Sequence, residues 1–446
     1  MLFSSLPSIS TLLQSPVLSD LQHTFAVRIA RDVVAEARKS IQNGENISPD
    51  WDRALLEKRQ ELKQPKLRRV INATGVVVHT NLGRAPLPTE VLNQLTTVMG
   101  GYSNLEFELS SGKRGGRLRG IAEKICYLTN AEDAIVVNNN AAATMLAVSA
   151  IASGARVVVS RGELVEIGGS FRIPEVIETG GAILKEVGTT NRTRASDYAA
   201  AVTADTNAFL RVHSSNFRIV GFTERPSRSE LARVARDKDV VLIEDLGSGL
   251  LANAPKIPQS KRLEEEESIR KALKDGVDVL TFSGDKLLGG VQAGFIVGKK
   301  KWVQACRRHP LYRALRLGKL NLAALELTLQ MYIEGRAHDL PVWQSLEHSA
   351  AHCQREAEQI RQALGDGSVE SANSYSGGGA LPEQAIPTYI YKLNVSRPNQ
   401  IAKMMRLADP PIVVRIQDDS ICIDPRTLLH GERDLVIACL RRVLGH

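Results

Sequence analysis

The sequence predicts an α/β protein on a largely parallel sheet, preceded by a helical unit and followed by a smaller α+β unit. Three observations predict it. Between about residues 66 and 335, short β-branched runs alternate with helical patterns: "AIVVN", "RVVVS", "AFLRVH", "VVLIED", "VDVLTFSG" and "AGFIVG". Many of these runs end in Gly, Ser, Asn or Asp, at the carboxyl edge where open parallel sheets bind ligands. The first 62 residues lack such runs and carry apolar residues at helical spacing.

The elements follow in order. "LSDLQHTFAVRIARDVVAEARKSIQNG" reads as a helix that stops at Asn43-Gly44. "SPDWDRALLEKRQELK" starts another, with Ser48 as N-cap and Pro49 at the first helical position, and Pro65 breaks the pattern. The domains are therefore expected at 1–62 (helical), 63–335 (large α/β) and 336–446 (small α+β). Within the large domain the acidic "RLEEEESIRKALKDG" reads as a solvated helix or loop. In the small one, "EHSAAHCQREAEQIRQAL" and "RDLVIACLRRVL" read as helices. "SVESANSYSGGGALPEQAIPT" reads as a strand with a Gly-rich loop, and "PPIVVRIQDDSICIDPRTL" as a hairpin.

Composition narrows the class. The chain has 446 residues, room for two or three domains and a large core, and is 43% hydrophobic. No run approaches the roughly 18 apolar residues of a membrane span. "MLFSSLPSISTLLQSPVLSD" lacks the basic start and continuous apolar block of a signal peptide. Five scattered cysteines without a CxxC pair fit a reducing cytoplasm, and argue against a zinc site or disulfide framework. A cytoplasmic protein with no metal and no membrane partner is expected. The net charge of +8 permits a polyanionic partner without requiring one. From Lys299 to Lys319 there are eight Lys/Arg and no Asp or Glu, which reads either as a solvated helix face or as a surface for a polyanion.

One lysine stands out. In "TFSGDKLLGGVQAGFIVG", Lys286 sits in a tight turn between two apolar runs, and lysine is costly to bury without a partner. Ser283 lies three residues before it, and "VVLIEDLGSG" puts Asp245 just past a buried-looking strand. A turn lysine and a strand-end aspartate are the two protein groups that pyridoxal phosphate needs. The amine bonds to the aldehyde, and the carboxylate pairs with the protonated pyridine nitrogen, which makes the ring an electron sink. Desolvation and the cationic site should lower the lysine pKa and supply a neutral amine. "VVNNNAAATMLAV" provides an anion nest at a helix start. There the N–H groups of Asn140, Ala141 and Ala142, helped by the Asn139 and Asn140 side chains, would face the cofactor phosphate. His213 and Ser214 end another strand, and His213 belongs either beside the ring or in a loop hydrogen bond.

These residues sit inside longer motifs: "RRVINATGVVVHTNLGRAPL", "YSNLEFELSSGKRGGR", "SRGELVEIGGSFRIPEV", "GTTNRT", "HSSNFRIVGFTE" and "EDLGSG". With them, over nearly its full length, the chain resembles the bacterial selenocysteine synthase family, the L-seryl-tRNA(Sec) selenium transferases. The resemblance implies the aspartate-aminotransferase-like fold of fold-type I pyridoxal-phosphate enzymes. It also implies an N-terminal tRNA-binding domain, assembly into a large ring of dimers, and Lys286 as the lysine that holds the cofactor. The implied reaction converts seryl-tRNA(Sec) through an aminoacrylyl group still attached to tRNA, with selenophosphate as second substrate. Arg84, Arg313 and Arg316 are then the anion pocket, since guanidinium binds phosphate oxygens bidentately. The spacing of Arg313 and Arg316 puts them on one helix face. Lys113, Arg114 and Arg117 of "SSGKRGGR" would touch cofactor, substrate or tRNA. Two other readings stand beside this one. One is a pyridoxal-phosphate lyase that eliminates from a small free amino acid. The other is a binding scaffold that kept the fold but lost activity, which the presence of Asp245, Ser283 and Lys286 disfavours.

Overall fold

The computed structural model describes residues 6–44, 50–167, 171–213, 217, 219–251, 268–379 and 385–445. The chain divides into two compact units, Met1–Arg69 and Val70–His446.

The first unit is helical. Helix α1 (His23–Gln42) buries Ala26, Ile29, Ala30, Val33, Val34 and Ala37, the one-sided stripe that spacings of three and four produce. They pack with Leu12, Leu18 and Leu55, the last on α2 (Trp51–Lys63). Asp50 caps α2, its side chain accepting the Arg53 N–H at 3.1 Å. The helix thus opens later than the expected cap at Ser48, and Ser48 and Pro49 lie outside the described residues.

Among the described residues, the second unit holds two large sheets, whose strands are numbered here, and two two-stranded ribbons, Phe107–Glu108 with Lys113–Arg114 and Glu166–Ile167 with Phe171–Arg172. β1 (Ile71–Ala73) comes first in the chain, followed by β2 (Asp133–Val137), β3 (Arg156–Ser160), β4 (Ile183–Val187), β5 (Thr206–Val212), β6 (Val241–Gly247), β7 (Val279–Ser283) and β8 (Gly294–Gly298). The seven from β2 to β8 form one sheet in the order β2-β8-β7-β6-β5-β3-β4. β8 runs antiparallel to both its neighbours, and the other pairings are parallel. Both faces are covered. Ile135, Val137, Ile243 and Val279 pack toward helix α3 (Asn140–Ala152), while their alternating neighbours Val136, Leu242 and Leu280 build the core on the other face. After β8 come α4 (Lys300–Arg308) and α5 (Pro310–Ala314). The helical part of the acidic segment is Ile269–Lys274, and 262–267 lie outside the described residues.

The second sheet joins β1 to β9 (Ser368–Tyr375), β10 (Ala385–Asn394), β11 (Ile412–Gln417) and β12 (Ser420–Ile423), in the order β1-β11-β12-β10-β9. β11 and β12 form the expected hairpin. Helices α6 (Ala350–Leu364), α7 (Pro398–Arg406) and α8 (Glu432–Leu444) share its core. The segment 71–73, read from sequence with the large domain, adds to this sheet in parallel with β11, because Ile71 and Ala73 bury beside Ile412 and Ile421. Among the described residues, no helix is long and apolar enough to cross a membrane.

Candidate active site

Asp245 and Lys286 meet at the carboxyl edge of the large sheet. Side chains alternate along β6, so Glu244 and Asp245 point to opposite faces. Glu244 faces the helix Arg228–Asp237, where Arg228 grips it through two hydrogen bonds of 2.6 and 2.7 Å. Against the upward pull of burial, Arg228 holds this carboxyl below its usual value. Asp245 faces α3. Its Oδ1 accepts the Asn140 amide at 2.7 Å, and its Oδ2 the Thr144 hydroxyl at 3.3 Å. Thr144 also meets the hydroxyl of Thr281, which sits opposite Asp245 on β7, at 3.0 Å.

Asp245 is 4% exposed and Lys286 6%. Lys286 follows β7 by three residues, in the turn into β8. Gly247 shows how close the two groups come. A Cβ built there would lie 3.8 Å from Asp245 Oδ1 and 3.9 Å from Lys286 Nζ. Its φ of 72° is left-handed, so glycine both permits the turn and leaves this space open. Burial raises the Asp245 carboxyl above its ordinary value, opposed by the Asn140 hydrogen bond and the Lys286 charge.

The nest is built as a helix start. Asn139 caps α3, its side-chain oxygen accepting the Ala142 N–H at 2.8 Å. Ala142 and the Asn139 oxygen therefore satisfy one another, and the Asn140 amide is spent on Asp245. The first-turn N–H groups of Asn140 and Ala141 have no acceptor inside the helix. A side chain at Gly294 would collide with the Asn139 carbonyl, so the nest turn rests directly on β8, whose Gly294 pairs with Ser283. The N–H of His213 donates to the Asp245 carbonyl at 2.9 Å, tying the end of β5 to the same place. Ser214 lies outside the described residues.

The arginines are distributed differently from the expectation. Arg84, at a left-handed φ of 64°, pairs through Nη1 with Asp285 Oδ2 at 2.7 Å, beside Lys286. Arg316 lies beyond the end of α5, so it shares no helix face with Arg313. The helix stops at Ala314, and Arg316 instead sits 5.6 Å from the centroid of the Tyr312 ring. The segment stays close to the nest, since the Asn138 N–H donates to the Leu315 carbonyl at 3.1 Å. Arg313 is exposed and makes no salt bridge among the described residues. Lys113 and Arg114 are exposed on a two-residue strand, and Arg114 and Arg117 both reach Glu106. Sequence reasoning missed Thr144, Thr281 and Asp285. The first is four residues from Asn140 on α3, and the last precedes the lysine.

A buried amine and a buried carboxylate facing one small space, next to a 13-residue helix N-terminus, fit pyridoxal phosphate as a donor set. A solved structure of D-glucosaminate-6-phosphate ammonia-lyase superposes with a TM-score of 0.61, covering 87% of this chain and 98% of that one at 24% identity, a likeness of fold. The L-seryl-tRNA selenium transferase family model matches residues 70–429. The protein of that activity from Carboxydothermus hydrogenoformans is 42% identical, over 97% of this chain and 96% of its own. That from Aquifex aeolicus is 41% identical over 94% of each. The chain belongs to the L-seryl-tRNA selenium transferase family.

Proposed function

We infer that the chain converts L-seryl-tRNA(Sec) to L-selenocysteinyl-tRNA(Sec), using pyridoxal phosphate and taking selenium from selenophosphate. The near-full-length similarity to relatives named for that activity carries the reading. In it, Lys286 holds the cofactor aldehyde, Asp245 its ring nitrogen, and the start of α3 its phosphate, with Ser283 and Asn139 alongside and His213 near the ring. When bound, pyridoxal phosphate supplies an aldehyde for the seryl amino group and a cationic ring that draws electron density from bonds at Cα.

Asp245 keeps a proton at the ring nitrogen. Its carboxylate is buried and oriented by Asn140 and Thr144, so no solvent rearrangement is needed as charge develops. The Lys286 amine, once free, takes the seryl Cα proton as general base. Arg84, Arg313 and Arg316 grip the selenophosphate oxygens, guanidinium being suited to that geometry. In the same reading the helical unit, with Arg28, Arg31, Arg38 and Lys39 on α1, binds the tRNA. The chain assembles into a ring of dimers and works in the cytoplasm.

The test is to supply the protein and cofactor with selenophosphate and either seryl-tRNA(Sec) or free serine. Selenium on the tRNA is expected only with the former, and a chain lacking residues 1–62 should bind the tRNA much more weakly. Turnover of free serine with no selenium on tRNA would make the protein a lyase instead.

A further inference from the structure

The basic run from Lys299 to Lys319 has a course that its charge alone did not reveal. β2 is an edge strand of the large sheet, and α4 packs on β2 and α3. The Lys300 N–H donates to Glu132 Oε2 at 2.9 Å, just before β2 begins. The Leu315 carbonyl receives the Asn138 N–H just after β2 ends. The run therefore follows the edge strand from its amino end to the carboxyl edge, where Asn140 meets Asp245.

Two of its cations are neutralised locally, Lys299 by Asp278 at 2.6 Å and Arg307 by Asp133 at 2.7 Å. Val303 and Cys306 form the buried side of α4. At 3.6 residues per turn, Lys301 and Arg308 fall together on the opposite side, with Lys300 on the flank a quarter-turn away. All three are exposed, and none makes a salt bridge among the described residues. Their local contacts are not ionic: Lys301 Nζ lies 4.3 Å from the centroid of the Trp302 ring, and Arg308 Nε donates to the Gln304 carbonyl at 3.3 Å.

We propose that Lys301 and Arg308, flanked by Lys300, form a ridge that carries the phosphate backbone of the RNA substrate toward the carboxyl edge of the sheet. The proposal rests on the reading of an aminoacyl-tRNA substrate. A seryl group at Lys286 brings the attached RNA end over this domain, where contacts with RNA fall on phosphates and 2′-hydroxyls. The three cations lie on rigid helix, ahead of the arginines assigned to selenophosphate.

The experiment measures binding of seryl-tRNA and of an acceptor-stem minihelix against salt, for the wild-type holoenzyme and for Lys301→Gln/Arg308→Gln. A control, Arg233→Gln/Lys238→Gln, removes the same charge from the helix Arg228–Asp237 and its C-cap, which pack on the other face of the sheet. The ridge variant should bind the minihelix about tenfold more weakly near physiological salt, with a log–log salt slope smaller by about 1.5, as loss of two phosphate contacts requires. The control should match wild type. Wild-type affinity and slope in the ridge variant would overturn the proposal, as would an equal loss in the control. Absence of tRNA binding by the wild type would overturn the proposal and the functional reading together.

Discussion

Replacing Asp245 by Asn isolates the electronic role of one carboxylate. The substitution keeps size and shape. The new side chain can still accept the Asn140 amide through its oxygen and present its own amide to the Thr144 hydroxyl, so the contacts at 2.7 and 3.3 Å survive. Folding should be preserved, and burial raises the wild-type carboxyl, so removing its charge relieves some desolvation. In the proposed role, what disappears is a buried charge opposite a cationic ring. Breaking a buried charge pair costs about 3–5 kcal/mol. At about 1.4 kcal/mol per tenfold, that is two to four orders of magnitude in rate. The assay is single-turnover selenium transfer to seryl-tRNA with saturating cofactor, beside a thermal melt. An Asp245→Asn variant that melts like wild type and turns over within a few-fold of it would refute the ring-nitrogen role.

Glu244→Gln should behave in the opposite way, leaving the Asp245 side of the sheet alone but removing the buried charge opposite Arg228, which keeps only the longer pair to Asp275 at 3.4 Å among its ion pairs with described residues, at a cost of about 3 kcal/mol and several degrees in melting temperature. Arg313→Ala should lower selenium transfer while tRNA affinity stays near normal, and a matching loss of tRNA binding would move this residue to the RNA surface. Burial, with the neighbouring His352 and Arg426 charges, lowers His348 to about 4. A base depressed in the folded state loses stability as pH falls. Stability should therefore decline between about pH 6.5 and 4, less so in His348→Gln, as followed by urea unfolding against pH.

The strands of the large sheet that were read from sequence are those with continuous apolar runs, because both their faces are covered. β4, "ILKEV", escaped notice because it is an edge strand whose residues are mostly exposed. β1 escaped because three residues carry no period, and its partner lies some 340 residues away in sequence. Lys286 and Asp245 stand out as candidates in the sequence because a lysine in an apolar turn and an aspartate at a strand end break local rules, and both are buried at the carboxyl edge of the sheet. The task of Asn140 was not readable. The same amide can cap a helix, bind phosphate or hold a carboxylate, and only the packing of α3 against β6 decides. Arg313 and Arg316 were placed on one helix face by spacing alone, and the early end of α5 at Ala314 undoes that.

The most direct test of Lys286 as the cofactor-holding lysine is borohydride reduction of the purified holoenzyme, followed by peptide mapping. The prediction is a pyridoxyl mass on the peptide containing "FSGDKLLGG", at Lys286, and none in Lys286→Ala. A covalent label on another lysine, or an undiminished label in Lys286→Ala, would contradict it.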